Sequence, residues 1–448
     1  MRLFLGITAI NRLALICLSI VVGGGCAGRV GAQPAGIEED RDANDSPPHL
    51  ISVWTHDAST TPEFGVIKRA AETFNRQQST YKVEVFPFYM QNYDERLRNA
   101  AATGTLPSLL ELDGPFLYAF AWPGYLRPID PFVPPELLKD LLPSIIAQGT
   151  YEGRLYSLAQ FDSGLAMWGD RRRLAAAGVR IPTIRNPWTL DEFEQALARL
   201  AARGDVEYPL SMTLYAIGGG EFYSYAYAPI LQGFGGDLID RRDYRRATGV
   251  LDGPRSVAAM KRFQSWFTKG WTRPVFDRED DFEKGRTALT WGGHWKYRDY
   301  RNALGDDLVL IPLPDFGQGI KTGMGSWSWG ISSTCRHPAG AWAFLAHLMS
   351  VDAILDITNI NGAVPARYSA LARSPLYGAE GPLALFAEQL AAGHGVPRPA
   401  TPAYYTLRKE FNQAILSIVA GGDVQAALNA AARRFDEDIA RHRGYPSP

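Results

Sequence analysis

His49-Leu50-Ile51-Ser52-Val53-Trp54, followed by Thr61-Pro62 and then by Tyr81 to Phe88, is the stretch on which the fold class turns. The first six residues alternate into an apolar strand. Thr61-Pro62 then opens a helix with proline at its first position, where a fixed φ and a missing N–H cost nothing. Phe64, Ile67, Ala71 and Phe74 fall on one face of that helix, the 3.6-residue period of an amphipathic segment. The segment 81–88 is a second strand, a helix follows around 93–102, a short strand over 108–112, and Asp113-Gly114-Pro115 opens another helix. Strands alternating with helices in this order predict an α/β architecture with a largely parallel sheet.

Outward from there the pattern continues. Residues 155–168 read as one long apolar run, interrupted by Gln160, Asp162 and Ser163. Trp188-Thr189-Leu190-Asp191-Glu192-Phe193 carries a capping box, Thr189 with Glu192, and an apolar staple, Trp188 with Phe193, so a helix starts there. Strands are expected over 288–291, 308–313 and 326–332, and helices over 256–268, 338–348, 383–392, 405–419 and 424–441. A chain of 448 residues exceeds what one core supports, so two lobes are expected.

The amino-terminal segment has an export layout. Arg2 and Arg12 precede an uncharged apolar run over 13–22, too short to span a bilayer, and Gly23-Gly24-Gly25-Cys26 follows. Small residues directly before Cys26 resemble a bacterial lipobox, in which the cysteine is acylated, although Gly23 stands where an aliphatic residue is usual. Cleavage after Val30-Gly31-Ala32 is the competing reading. Residues 26–48 hold almost no large apolar side chains and read as a tether. Cleavage before Cys26 also removes Cys17, leaving Cys335 as the single thiol of the body, so no intrachain disulfide framework is available. With 46 Lys+Arg against 47 Asp+Glu and no domain-sized basic block, the chain lacks the surface that binds nucleic acid.

Catalytic and cofactor motifs give little. The seven histidines include no pair at helical spacing with an acidic neighbour, which argues against a metal site. There is no nucleophile elbow, because Ser326 and Ser328 are flanked by Trp327 and Trp329. Lys321-Thr322 lacks the glycine of a phosphate loop, and Gly218-Gly219-Gly220 is not followed by a dinucleotide fingerprint, so no cofactor is expected. Paired carboxylates for glycoside hydrolysis stay open, with Asp57, Asp113, Asp162 and Glu221 near strand ends or loops.

Four stretches resemble the extracellular solute-binding proteins of bacterial ABC importers, in the branch that includes the maltodextrin and glycerol-phosphodiester binders. They are Phe74-Asn75 through Val85 with Ala102-Thr103-Gly104-Thr105-Leu106-Pro107; Tyr151 to Leu158; Phe282, Gly285, Ala288 and Trp295; and Gly325 to Ser332 with Ala341-Trp342 and Gly362-Ala363-Val364-Pro365-Ala366-Arg367. The resemblance runs from about His49 to Arg443. It implies a type II periplasmic-binding-protein fold, two discontinuous α/β lobes joined by hinge crossings: 49–160 plus 310–358, and 161–309 plus 361–443. It further implies a non-catalytic, membrane-tethered, monomeric receptor that captures a sugar or oligosaccharide between the lobes and passes it to the membrane subunits of a permease.

Candidate ligand residues follow from the residues and the resemblance together. Trp295 matches the family's stacking tryptophan, and an aromatic face suits a sugar's C–H surface. Trp327, Trp329 and Ile331 share one strand face, and Trp327 is taken as ligand-facing with Trp329 in the core. Asp162 is either a polyol acceptor or a bond to a neighbouring amide. Asp113 is a ligand group or a helix N-cap. His56 and Asp57 follow the first strand, Tyr223 and Tyr225 sit in an aromatic cluster, and Arg398 could fork onto a phosphate or a hydroxyl pair. Trp54 and Trp342 are assigned to the core. Two alternatives accompany the sugar reading: a glycerol-phosphodiester receptor using Arg398 with Thr401, and a secreted carbohydrate-active enzyme using Asp162.

Overall fold

A computed structural model describes residues 48–215, 220–378 and 380–446. The leader over 1–25, Cys26 and the tether up to Pro47 lie outside the described residues.

The first strand, His49–Thr55, buries Ile51, Val53 and Thr55 and turns the alternate residues outward, as its sequence alternation dictates. It pairs in parallel with Tyr81–Pro87 on one side and Leu109–Asp113 on the other. The helix between the first two strands, Pro62–Gln77, is capped by the Thr61 side chain, which accepts from the Phe64 amide, and it buries Val66, Ile67, Ala71 and Phe74. The next helix, Met90–Thr103, ends at Gly104 in the left-handed region (φ 68°), where a side chain would be strained, and this turn delivers the chain into Leu109–Asp113. Trp327–Ile331 and then Ser157–Leu158 complete a five-stranded sheet by antiparallel pairing.

A second sheet has the order Leu308–Ile311, Leu165–Asp170, Leu289–Gly293, Leu210–Met212. Every residue of its two inner strands is buried, so their sequences are largely apolar rather than alternating, with Asp170 and Thr290 as the polar exceptions. Around it pack Leu190–Arg203, opened by the Thr189–Glu192 capping box, Pro254–Thr268, and the helical pair Tyr404–Val419 and Val424–Arg441. The molecule thus has two α/β lobes, each assembled from separated parts of the chain.

The apolar run 155–168 is divided at its polar interruptions: Ser157–Leu158 belongs to the first sheet, Phe161–Asp162 pairs with Val364–Pro365, and Leu165–Asp170 belongs to the second sheet. Its apolarity reflects burial on both sides of a crossing between lobes. One boundary changes: the return to the first lobe starts later than residue 310, because Leu308–Ile311 is hydrogen-bonded into the second sheet beside Leu165–Asp170.

The outgoing and returning crossings lie side by side. Gly164 bridges Met324, and the Thr322 hydroxyl bonds both the amide and the carbonyl of Leu165 at 2.8 Å. Asp162 joins the same seam: its Oδ1 accepts from the Ser163 amide at 2.8 Å and from the Gly325 amide at 2.9 Å. The side chain is fully buried, and these two bonds pin the crossings together. Burial pushes its carboxyl upward, and the Ser144 hydroxyl and the two amides oppose that. Asp162→Ala strands two buried amides, and urea unfolding should show a loss of about 2–3 kcal/mol; a change near zero would remove the pin.

Candidate functional site

The carboxyl ends of the parallel strands in the first lobe gather a compact polar group. Thr55 closes the first strand and donates to Glu111 Oε2 at 2.6 Å, and His56 Nδ1 meets the same oxygen at 2.8 Å. Glu111 lies inside a strand whose five residues are all buried, so its charge needs these partners. The Tyr93 hydroxyl, buried beneath, donates to the carbonyls of Trp54 and Glu111 at 3.0 and 2.9 Å and fixes the two strand ends relative to each other. Trp327 starts the antiparallel strand at this same edge, opposite Asp113. Its indole stacks on the His56 imidazole with ring centres 3.5 Å apart and planes 2° from parallel.

Electrostatics follow from that geometry. Burial disfavours a charged His56, but Glu111 in contact and Asp57 and Asp113 nearby override it and raise the imidazole to about 9. Burial pushes Asp57 up to about 6 against the pull of His56, with Glu111 adding to the rise. Donor atoms of His56, Asp57 and Glu111 lie within 4.8 Å of one another, the one such trio among the described residues. A metal there would have to displace the proton that His56 shares with Glu111.

The other side of the site comes from the second lobe. Arg398, buried after the strand Gly395–Pro397, donates through Nη2 to Asp113 Oδ1 at 2.7 Å and through Nη1 to Glu221 Oε1 at 2.8 Å. Tyr404, at the start of Tyr404–Val419, donates to the same Glu221 oxygen. The guanidinium lies 5.1 Å over the Tyr225 ring, whose hydroxyl meets Ser163 Oγ at 2.8 Å. Burial pushes Glu221 up to about 7; Arg398 opposes that, and Asp113 reinforces it. The second Glu221 oxygen is buried without a hydrogen-bond partner.

Trp295 stands 6.3 Å from Tyr225 in the short helical turn after Leu289–Gly293, with 39% of its surface exposed. Its ring folds back over Gly293, where a Cβ would fall 2.0 Å from an indole carbon. The neighbouring His294 is buried, its Nδ1 2.8 Å from the Asn361 carbonyl, and its ring meets the indole edge-on at 5.2 Å. A carbonyl only accepts, so Nδ1 carries the proton; burial lowers this imidazole to about 4 and keeps it neutral.

Trp295, Tyr225, Arg398, Asp113, Trp327 and His56 therefore form one unbroken series of neighbours that starts in the second lobe and ends in the first. Asp57 adjoins it. Trp329, two residues inside the edge, is buried and donates to Gln160 at 3.2 Å, as core residues do. Trp54 and Trp342 are half-buried and packed against apolar clusters. Asp113 makes no capping hydrogen bond, because its carboxylate is turned to Arg398. Tyr223 does not join the series: it is fully buried, and its hydroxyl accepts from the Tyr215 amide and donates to the Tyr215 carbonyl, holding a loop. Tyr223 and Tyr225 sit two apart on the short helix Phe222–Ala226 and so point to different sides.

Sequence reading missed Glu111 and Tyr404. A charge between leucines, Leu110-Glu111-Leu112, was the available signal for the first; the second sits in an ordinary amphipathic helix and offered none.

The family model described as bacterial extracellular solute-binding protein matches residues 69–381, and the chain belongs to that family. A binding protein of Brucella abortus is 22% identical over 415 residues, covering 86% of this chain and 92% of that one. The fold is shared with the GacH receptor of Streptomyces glaucescens, solved unliganded and with acarbose (TM-score 0.72, 20% identity, 89% of this chain and 99% of that chain). It is shared likewise with the Thermus thermophilus maltotriose binding protein bound with maltotriose (TM-score 0.70, 21% identity, 87% and 100%).

Two outcomes are expected. Arg398→Ala leaves Asp113 and Glu221 facing each other without their cation and should cost about 3–5 kcal/mol in urea unfolding. His56, raised in the folded state, contributes stability that is complete below about pH 6.5 and lost as pH rises through about 9. His56→Gln should therefore flatten the fall in stability across that window, and an unchanged profile would show that the Glu111 pairing contributes nothing.

Proposed function

We propose that the protein is the exported receptor of an ABC importer, capturing a saccharide between its lobes and presenting it to the permease. The observation that carries this reading is the series from Trp295 to His56, with aromatic faces in both lobes and carboxylates between them. Flat aromatic surfaces cover the apolar C–H faces of a sugar ring, while carboxylates and the guanidinium accept from or donate to its hydroxyls. The structurally similar receptors solved with acarbose and with maltotriose support a saccharide over other solutes. The phosphodiester alternative has less behind it, because Arg398, the cation that would meet a phosphate, is already engaged by two carboxylates.

In this reading Trp295, Trp327, Tyr225, His56, Asp57, Asp113 and Arg398 contact the solute, Asp162 and Tyr223 hold the frame, and no step is catalytic. The first lobe would comprise 49–160 and the return after residue 311 to about 358, the second 161–311 and 361–443. Closure is a hinge motion at the paired crossings, stabilised when one ligand touches both sides. Acylated Cys26 would anchor a monomer at the membrane, with residues 26–48 as its tether.

A thermal-shift screen against maltotriose and related oligosaccharides tests the proposal, since a ligand that binds only the folded state raises the midpoint saturably. Trp295→Ala should weaken the bound sugar by about tenfold or more, the loss of one stacking face at about 1.4 kcal/mol per decade. No shift with any saccharide would overturn the reading, and so would chemical conversion of the sugar.

A further inference from the structure

The chain as a whole carries nearly equal numbers of acids and bases, but the site does not. Four carboxylates, Asp57, Glu111, Asp113 and Glu221, converge on two cations, His56 and Arg398. Arg398 gives one nitrogen to each of two acids instead of both to one, so neither receives the bidentate pairing that a guanidinium can supply. The two acids left short are identifiable. Among the described residues, Glu221 has an oxygen buried without a hydrogen-bond partner, and the side chain of Asp57 meets only the hydroxyls of Thr55 and Thr61, each at 3.4 Å and each with a closer acceptor. The next pair outward is balanced: Arg408 bonds Asp94 at 2.7 Å, and its charge also reaches Glu221 without a hydrogen bond to it. Beside Trp295 the imbalance recurs, with Lys296 alone against Glu279, Glu283 and Asp299.

Resting on the saccharide reading above, we propose that the solute carries a positive charge: an amino-substituted saccharide whose ammonium group meets this surplus of carboxylates. Three physical points favour it. An ammonium has three donors and no acceptor, which fits a site with surplus acceptors. The faces of Trp327, Tyr225 and Trp295 attract cations as well as sugar rings. An anionic solute would meet four carboxylates around a guanidinium that is already neutralised, a repulsion that confers selectivity. The raised Asp57 and Glu221 carboxyls are consistent with this, because a further cation would favour their charged forms.

The test is isothermal titration of the mature protein at pH 7 with trisaccharides matched in backbone and differing in charge. Chitotriose is compared with its N-acetylated form and with the corresponding uronate, and amino-maltotriose with maltotriose. Expected are about tenfold or tighter binding of an amino member over its neutral counterpart, and weakened binding of the uronate. Equal or tighter binding of the neutral or acidic member overturns the proposal and leaves the saccharide receptor standing. Failure of every member, charged or neutral, instead removes the saccharide reading on which the proposal rests. Asp57→Asn should shrink the amino-to-neutral affinity ratio by about tenfold (1.4 kcal/mol), and Glu221→Gln should do the same if Asp57→Asn does not fold.

Discussion

Arg398 is the group at the centre of the site that bonds charges in both lobes. Its two nitrogens hold Asp113, at the carboxyl edge of the first sheet, and Glu221, at the mouth of the second lobe's aromatic cluster. Burying this guanidinium without those partners would cost several kcal/mol, and burying either acid without the guanidinium would cost as much. The three groups are buried together at least cost, so charge favours the placement of the two strand-end loops seen here. Tyr404, Tyr225 and Ser163 are arranged around that ion triad and inherit its geometry.

The lobes are joined mechanically at a different place. The outgoing and returning crossings share the Thr322 and Asp162 hydrogen bonds, and both groups are buried. A hinge of this type resists shear along the seam, because sliding would leave buried amides unpaired, while rotation about it breaks none of those bonds. The sheets on either side are rigid by contrast: each inner strand of the second sheet is buried along its whole length. Rigid lobes and a pinned seam confine motion to opening and closing.

How far the sequence foretold this depends on whether a signal was local. The helices over 338–348 and 424–441 stand where their periodicity placed them, and the Thr189–Glu192 box starts its helix as read, because caps and amphipathic faces are set by neighbours in the chain. The family resemblance likewise held for the two-lobed fold. The polar interruptions of the run 155–168 marked the crossing, but not which sheet each piece joins, since burial by either lobe produces the same apolar string. Alternation put Trp327 and Trp329 on one face, and the register against Leu109–Asp113 places the first at the sheet edge and the second inside it. The partners of Asp162 and Tyr223, Gly325 and Tyr215, are matched by tertiary contact, and composition carries no trace of that.

The close approach of the Trp295 ring to Gly293 has a consequence for how such a receptor changes over generations. The missing side chain at Gly293 is what lets the indole lie back across its own strand. Any residue larger than glycine there would lever the ring outward, altering the surface that Trp295 presents from a position with no side chain of its own. Selectivity could thus drift through a main-chain vacancy two residues upstream, while every contact residue keeps its identity.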